Sequence, residues 1–172
     1  MLTHHAKNIL STLGSAALTL AVLAVLLVLI VKTLRRITRG PIAPIRGKVT
    51  SHFGKRNAPV AGASTYHIGV DIAAEVGTPV KAPWPGKVTH AYYDNTHGGG
   101  YTMILQHSNG YKTGYCHLSE FVANEGDTVR AGKTICRTGN SGRSSGPHLH
   151  FSVTDPTTGQ KINPETIFNF TT

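Results

Sequence analysis

Gly146-Pro147-His148-Leu149-His150-Phe151-Ser152-Val153 decides how this chain is read. Apolar Leu149, Phe151 and Val153 alternate with His148, His150 and Ser152, the period of a strand with one face in a core. Two imidazoles two residues apart on a strand project to the same side. Such a pair can place one ring on a metal and leave the other beside it. Ordinary solvent-facing strands also carry histidines, so the pair takes its meaning from the rest of the chain.

Three other stretches join it. His67-Ile68-Gly69-Val70-Asp71 sets an imidazole and a carboxylate four residues apart around a glycine. From Tyr111 to Leu118 strand alternation puts Tyr111, Thr113, Tyr115 and His117 on one face and Cys116 on the other, away from any site. Gly142-Arg143-Ser144-Ser145-Gly146-Pro147 is a loop that positions the entry to the His148 strand. His67, Asp71 and one histidine of the pair make a two-nitrogen, one-oxygen set, the donor chemistry of a catalytic zinc that keeps a fourth position for water. His117 and the other histidine then serve as general base and as charge-stabilising donor.

The chain has 172 residues and a formal net charge of +9. Residues 1–48 hold Lys7, Lys32, Arg35, Arg36, Arg39, Arg46 and Lys48 and no acid, which leaves ten basic and eight acidic residues on the remainder, about +2. A nucleic-acid binder carries its positive charge on the folded domain, so no nucleic-acid partner is expected. Here the charge borders a charge-free apolar run, Ile9 to Val31, long enough to cross a bilayer as one helix. Val31-Lys32-Thr33 offers no signal-peptide cleavage site. The expected organisation is a tail (1–8), a transmembrane helix (9–31), a basic Pro/Gly linker (32–48) and a domain (49–172). Lys32, Arg35, Arg36 and Arg39 after the helix would hold the domain on the cytoplasmic side, in conflict with the wall chemistry described below. The internal membrane of a virus particle is one way around that conflict.

Beyond Lys48 the pattern is short apolar or alternating runs broken by Gly, Pro and Asn. Strands are expected near Gly69–Ile72, Pro79–Ala82, Gly86–Tyr93, Tyr101–His107, Tyr111–His117, Thr134–Arg137 and His148–Thr154, with turns at Ser108-Asn109-Gly110, Glu125-Gly126-Asp127 and Gly139-Asn140-Ser141-Gly142. No segment of the domain keeps a helical period beyond about two turns. The fold class is mostly β, an antiparallel sheet. Cys116 and Cys136 lack the spacing of a cysteine-zinc site, and sequence leaves their pairing open.

On these residues the chain closely resembles the LytM/lysostaphin-type zinc endopeptidases that cut peptide cross-links in bacterial cell walls. The resemblance runs from about Val49 to Phe168. It includes Thr50-Ser51-His52-Phe53-Gly54-Lys55-Arg56, Tyr66-His67-Ile68-Gly69-Val70-Asp71-Ile72, Gly77-Thr78-Pro79-Val80, Tyr115-Cys116-His117-Leu118, Thr138-Gly139-Asn140-Ser141-Gly142, the His148 strand and Asn163-Pro164. It implies an antiparallel groove domain, Zn2+ as cofactor and the peptidoglycan peptide as substrate. His67, Asp71 and His150 match the zinc ligands. His117 and His148 match the histidines that activate water and steady the tetrahedral intermediate. Activity should then fall on acidification, since protonated imidazoles neither ligate zinc nor accept a proton. The resemblance admits a direct diaminopimelate cross-link or a glycine bridge as the bond cut, and a bacterium or a phage, as a virion-associated lysin, as owner. Cys116 and the loop Thr96-His97-Gly98-Gly99-Gly100 depart from the family pattern.

Other chemistries fail on context. Gly142-Arg143-Ser144-Ser145-Gly146 satisfies G-x-S-x-G, but a strand follows where a helix is needed and no histidine lies beyond His150. Gly132-Lys133-Thr134 lacks the upstream glycine spacing and the helix of a phosphate loop. The rival that survives is a non-catalytic wall-binding module or hydrolase activator on the same fold. His4, His5, His52, His90 and His97 lack ligand spacing. His107 reads as structural or as support for a ligand. Trp84, Tyr92, Tyr93 and Tyr101 line the groove or pack between strands.

Overall fold

The computed structural model describes residues 18–31, 40–59 and 61–171. Contacts divide the chain into two units, Met1–Gly40 and Pro41–Thr172. In the first, residues 18–31 are helical with exposed side chains. No helix among the described residues is long and apolar enough to cross a membrane. The tail expected at 1–8, residues 9–17 of the expected span and residues 32–39 lie outside the described residues.

The second unit is built from β1 (Val49–Ser51), β2 (Gly54–Lys55), β3 (Tyr66–His67), β4 (Val70–Ala73), β5 (Pro79–Lys81), β6 (Gly86–Asp94), β7 (Gly100–His107), β8 (Lys112–Phe121), β9 (Thr128–Val129), β10 (Thr134–Thr138), β11 (His148–Thr154) and β12 (Lys161–Ile162). A 3-10 turn, Pro164–Thr166, follows, capped by the Asn163 side chain accepting from the Glu165 amide. Every pairing is antiparallel, and the main sheet runs β1-β4-β11-β8-β7-β6-β9. β11 lies between β4 and β8, so the His148 strand joins the His67–Asp71 stretch to the His117 strand. Its alternation is as expected: Leu149, Phe151 and Val153 are fully buried, while His148 and His150 stay partly open.

The core forms on one face of that sheet. Phe151 packs 5.4 Å from Tyr115 and 5.3 Å from Phe168, ring centre to ring centre, with Val70, Ile72, Met103, Leu105 and Leu118 around them. Burying each such side chain stabilises the fold by about 1.5–3 kcal/mol.

The linker expected at 32–48 needs correction from Pro41 onward. Ile45 is buried. Ile42 N donates to Pro83 O (3.1 Å), Lys81 N to Pro44 O (2.8 Å) and Gly47 N to Phe170 O (2.9 Å). The prolines do exclude a helix, but an extended segment carrying Pro44 and Ile45 buries apolar surface where a solvated spacer would not.

His107 is buried outside the group formed by His67, Asp71 and His150. Its ring is buried edge-on to Trp84 (5.3 Å), Nε2 lies 2.7 Å from Thr113 Oγ1, and Nδ1 has no partner of good geometry. Burial pushes its pKa down to about 4, the nearby carbonyls of Pro85 and Trp84 offsetting only part. The folded value lies below the unfolded one, so the unfolded chain binds this proton more readily. Stability is therefore full above about pH 6.5 and falls as pH drops toward 4, by roughly 3 kcal/mol for this group. Thermal melts at pH 7 and 4.5 should show the loss, and His107→Phe should flatten it. An unchanged slope in that variant would assign the acid sensitivity elsewhere.

Candidate metal centre

His67, Asp71 and His150 converge although 83 residues separate the two histidines in the chain. The register explains it. β11 pairs β4 with His150 opposite Asp71, and β3 delivers His67 four residues before Asp71. His67 Nε2 lies 3.1 Å from Asp71 Oδ1, Asp71 Oδ1 2.9 Å from His150 Nδ1, and His150 Nδ1 3.0 Å from His67 Nε2.

Gly69 makes the approach possible. A Cβ there would meet the Phe151 carbonyl and lie 3.0 Å from His150 Cε1 and Nε2. Only a residue without a side chain lets β11 and the His67–Asp71 stretch close on one another.

The donor chemistry fits a divalent cation. His67 Nδ1 lies 2.9 Å from the His52 carbonyl; a carbonyl only accepts, so Nδ1 holds the proton and Nε2 presents a lone pair. Burial alone would raise the Asp71 pKa, but the His150 and His67 rings beside it outweigh that and hold the carboxyl well below the usual range. Burial lowers the His150 pKa, only partly countered by Asp71. An anionic oxygen and two imidazole nitrogens therefore share one point. Their separations sit close to the roughly 3.3 Å edge of a tetrahedron with bonds of about 2.0–2.1 Å, the geometry of zinc on N and O donors.

Arg56 supports this set, a role that sequence reading did not assign. Its Nη1 donates to Asp71 Oδ2 (2.9 Å) and to Ser51 Oγ (2.6 Å). One carboxylate oxygen is thereby held back while the other faces the histidines. The legible signal was the arginine closing Phe53-Gly54-Lys55-Arg56, but nothing in the spacing tied it to Asp71.

His117 and His148 stand beside the cluster, their rings 4.7 Å apart. His117 Nδ1 donates to the Ser141 carbonyl (2.8 Å) and His148 Nδ1 to the Gly146 carbonyl (2.7 Å). Both rings thus turn Nε2 outward, and His148 Nε2 lies 3.7 Å from Asp71 Oδ1. Burial first, then the neighbouring His148 and His150, push the His117 pKa down to about 4. At neutral pH it is an uncharged base.

The side of β8 that His117 shares is not the one expected. Tyr115 and Thr113 are buried in the core, whereas Cys116 pairs with His150 and lines the groove with it. The cause is a β-bulge. Tyr101 pairs with Leu118 and Met103 with Tyr115, so Cys116 and His117 together oppose Thr102. His117 takes φ 61° and donates its backbone N–H to Gly99 O at 2.8 Å. The extra residue shifts the alternation and turns both side chains into the groove. Burial pushes the Cys116 thiol up to about 11, which keeps it protonated and a poor nucleophile near neutrality.

Residues 65–164 match peptidase family M23, and the chain belongs to that family. Over 120 residues it is 37% identical to Peptidoglycan DD-endopeptidase ShyB of Vibrio cholerae, covering 69% of this chain and 28% of that one. Among solved structures it resembles the catalytic domain of the antimicrobial peptidase lysostaphin from Staphylococcus simulans (TM-score 0.63, 33% identity, 70% of this chain and 90% of that one). It also resembles a zinc-containing peptidase from Vibrio cholerae (TM-score 0.64, 32% identity, 73% and 39%). The chain spans between 18% and 28% of the length of curated relatives it matches.

Proposed function

We propose that the chain is a zinc endopeptidase that hydrolyses peptide cross-links of bacterial peptidoglycan while tethered to a lipid membrane. The observation that carries the catalytic part is the convergence of His67, Asp71 and His150 beside His117 and His148 in one groove. Zinc held by those three side chains supplies a Lewis acid that polarises the scissile carbonyl and makes water more acidic. The chain's own groups do the rest. His117, neutral with Nε2 unprotonated, accepts the proton of the attacking water and returns it to the departing amine. His148, its Nδ1 held by the Gly146 carbonyl, turns Nε2 toward the oxygen of the tetrahedral intermediate and steadies it. Arg56 holds Asp71 in place through Oδ2.

The test uses purified sacculi. The zinc-loaded chain is expected to release cross-bridge fragments, and chelation is expected to stop release until zinc is restored. A zinc-loaded chain that binds sacculi and leaves them uncut would instead make it a wall-binding module or a hydrolase activator.

The tether reading rests on the charge-free run Ile9 to Val31 and the basic residues that follow it. On this reading the domain faces peptidoglycan, opposite to the side that Lys32, Arg35, Arg36 and Arg39 favour. The full chain should stay with membranes through an alkaline carbonate wash, whereas a chain starting at Pro41 should not. Release of both by that wash removes the tether.

A further inference from the structure

Arg143 stands where two hollows of the groove meet. One hollow is lined by Asp71, His148 and His150, the other by His67, Cys116 and His150, and Arg143 and His117 border both. Two neighbouring loops fix its position. Its backbone N–H donates to Gly98 O at 2.7 Å, and Nη1 donates to Gly62 O at 2.5 Å. Gly142 and Gly100 pack so closely that a Cβ on Gly100 would lie 2.5 Å from Ser141 Oγ. The unusual run Gly98-Gly99-Gly100 is thus what seats Arg143 over the groove.

Its charge is not neutralised there. Among the described residues Arg143 has no carboxylate partner. Asp94, nearby, is occupied by the backbone N–H groups of Thr96, His97 and Gly99 (3.0, 2.9 and 3.2 Å). Asp71 is committed to Arg56 and the histidines. A guanidinium offers five donors in a planar fork that matches a carboxylate, and one bond to a neutral carbonyl leaves most of them free.

We infer that Arg143 binds a free carboxylate of the substrate adjacent to the scissile bond. The inference rests on the endopeptidase reading above. It selects between the two cross-links the sequence leaves open. In a direct diaminopimelate link the amine nitrogen of the cleaved amide sits on a carbon bearing a free carboxylate, whereas a glycine bridge carries none there. Arg143 is then a specificity-determining residue for the first.

Two synthetic cross-link mimics, identical except for carboxylate or carboxamide on that carbon, test it with the zinc-loaded chain. A charge-assisted pair predicts about 10- to 100-fold higher kcat/KM for the carboxylate. Arg143→Ala should bring the ratio near one, chiefly through KM, at unchanged zinc content, and Arg143→Lys should restore part of it. A ratio near one in the parent chain, or an Arg143→Ala variant that weakens both peptides equally, overturns the inference. Calorimetric binding of the same peptides separates it from the catalytic reading. Carboxylate-selective binding without cleavage leaves Arg143 its role and sinks the enzyme. Cleavage without selectivity does the reverse.

Discussion

His150→Ala is expected to lose its zinc on dialysis and to release no more sacculus fragments than buffer alone. His150 supplies one of three donors set within 3.1 Å of one another, and on the β11–β4 ladder it sits opposite Asp71. Removing a partner that merely orients a ligand typically costs 10–100-fold in metal affinity, and removing the donor itself should cost more. The fold should survive, because the core on the opposite face, Leu149, Phe151 and Val153, is untouched. Atomic emission on the dialysed protein, with circular dichroism as the check on folding, gives the answer. A folded variant that keeps one zinc per chain would remove His150 from the ligand set.

His117→Ala should separate binding from chemistry. Zinc content should stay at one per chain, while kcat falls by about 10²–10⁴-fold with little change in KM, the range for loss of a general base. The geometry is specific about why. Nδ1 is bound to the Ser141 carbonyl, so the lone pair must be on Nε2, and the pKa near 4 keeps it available. The group works when neutral, so its contribution should be constant near pH 7 and disappear as pH falls through about 4. Single-turnover cleavage across that range, beside the variant, checks both. A kcat loss under about 10-fold would assign the base elsewhere, with His148 the remaining imidazole.

Much of this arrangement was legible in the amino-acid sequence because it follows from strand period. Leu149, Phe151 and Val153 could only be a buried face, and that placed His148 and His150 together on the other. Turn residues bracketed the long strands closely. The short pairings were missed: β1, β2, β3, β9 and β12 carry too few residues for alternation to register. The bulge at Cys116 and His117 was missed for a different reason. Period-two reading assumes that no residue is inserted, and the one that is depends on Thr102 across the ladder and on the Gly99 carbonyl. Pro41–Lys48 was misjudged because proline reports only which backbone shape is excluded, not whether the alternative shape is buried. Arg56 and Arg143 stayed silent since a charge reveals its partner, or the lack of one, only in three dimensions.

Three rings of the centre, His67, His117 and His148, share a habit of attachment: each leans its Nδ1 on a peptide oxygen, from His52, Ser141 and Gly146. No codon change can delete a peptide oxygen. Surrounding residues can therefore drift without misplacing the proton on any of these rings, provided the loops keep their path. Damage should come from insertions and deletions in those loops far more often than from point replacements within them, and a library of single-codon deletions would show where the tolerance ends.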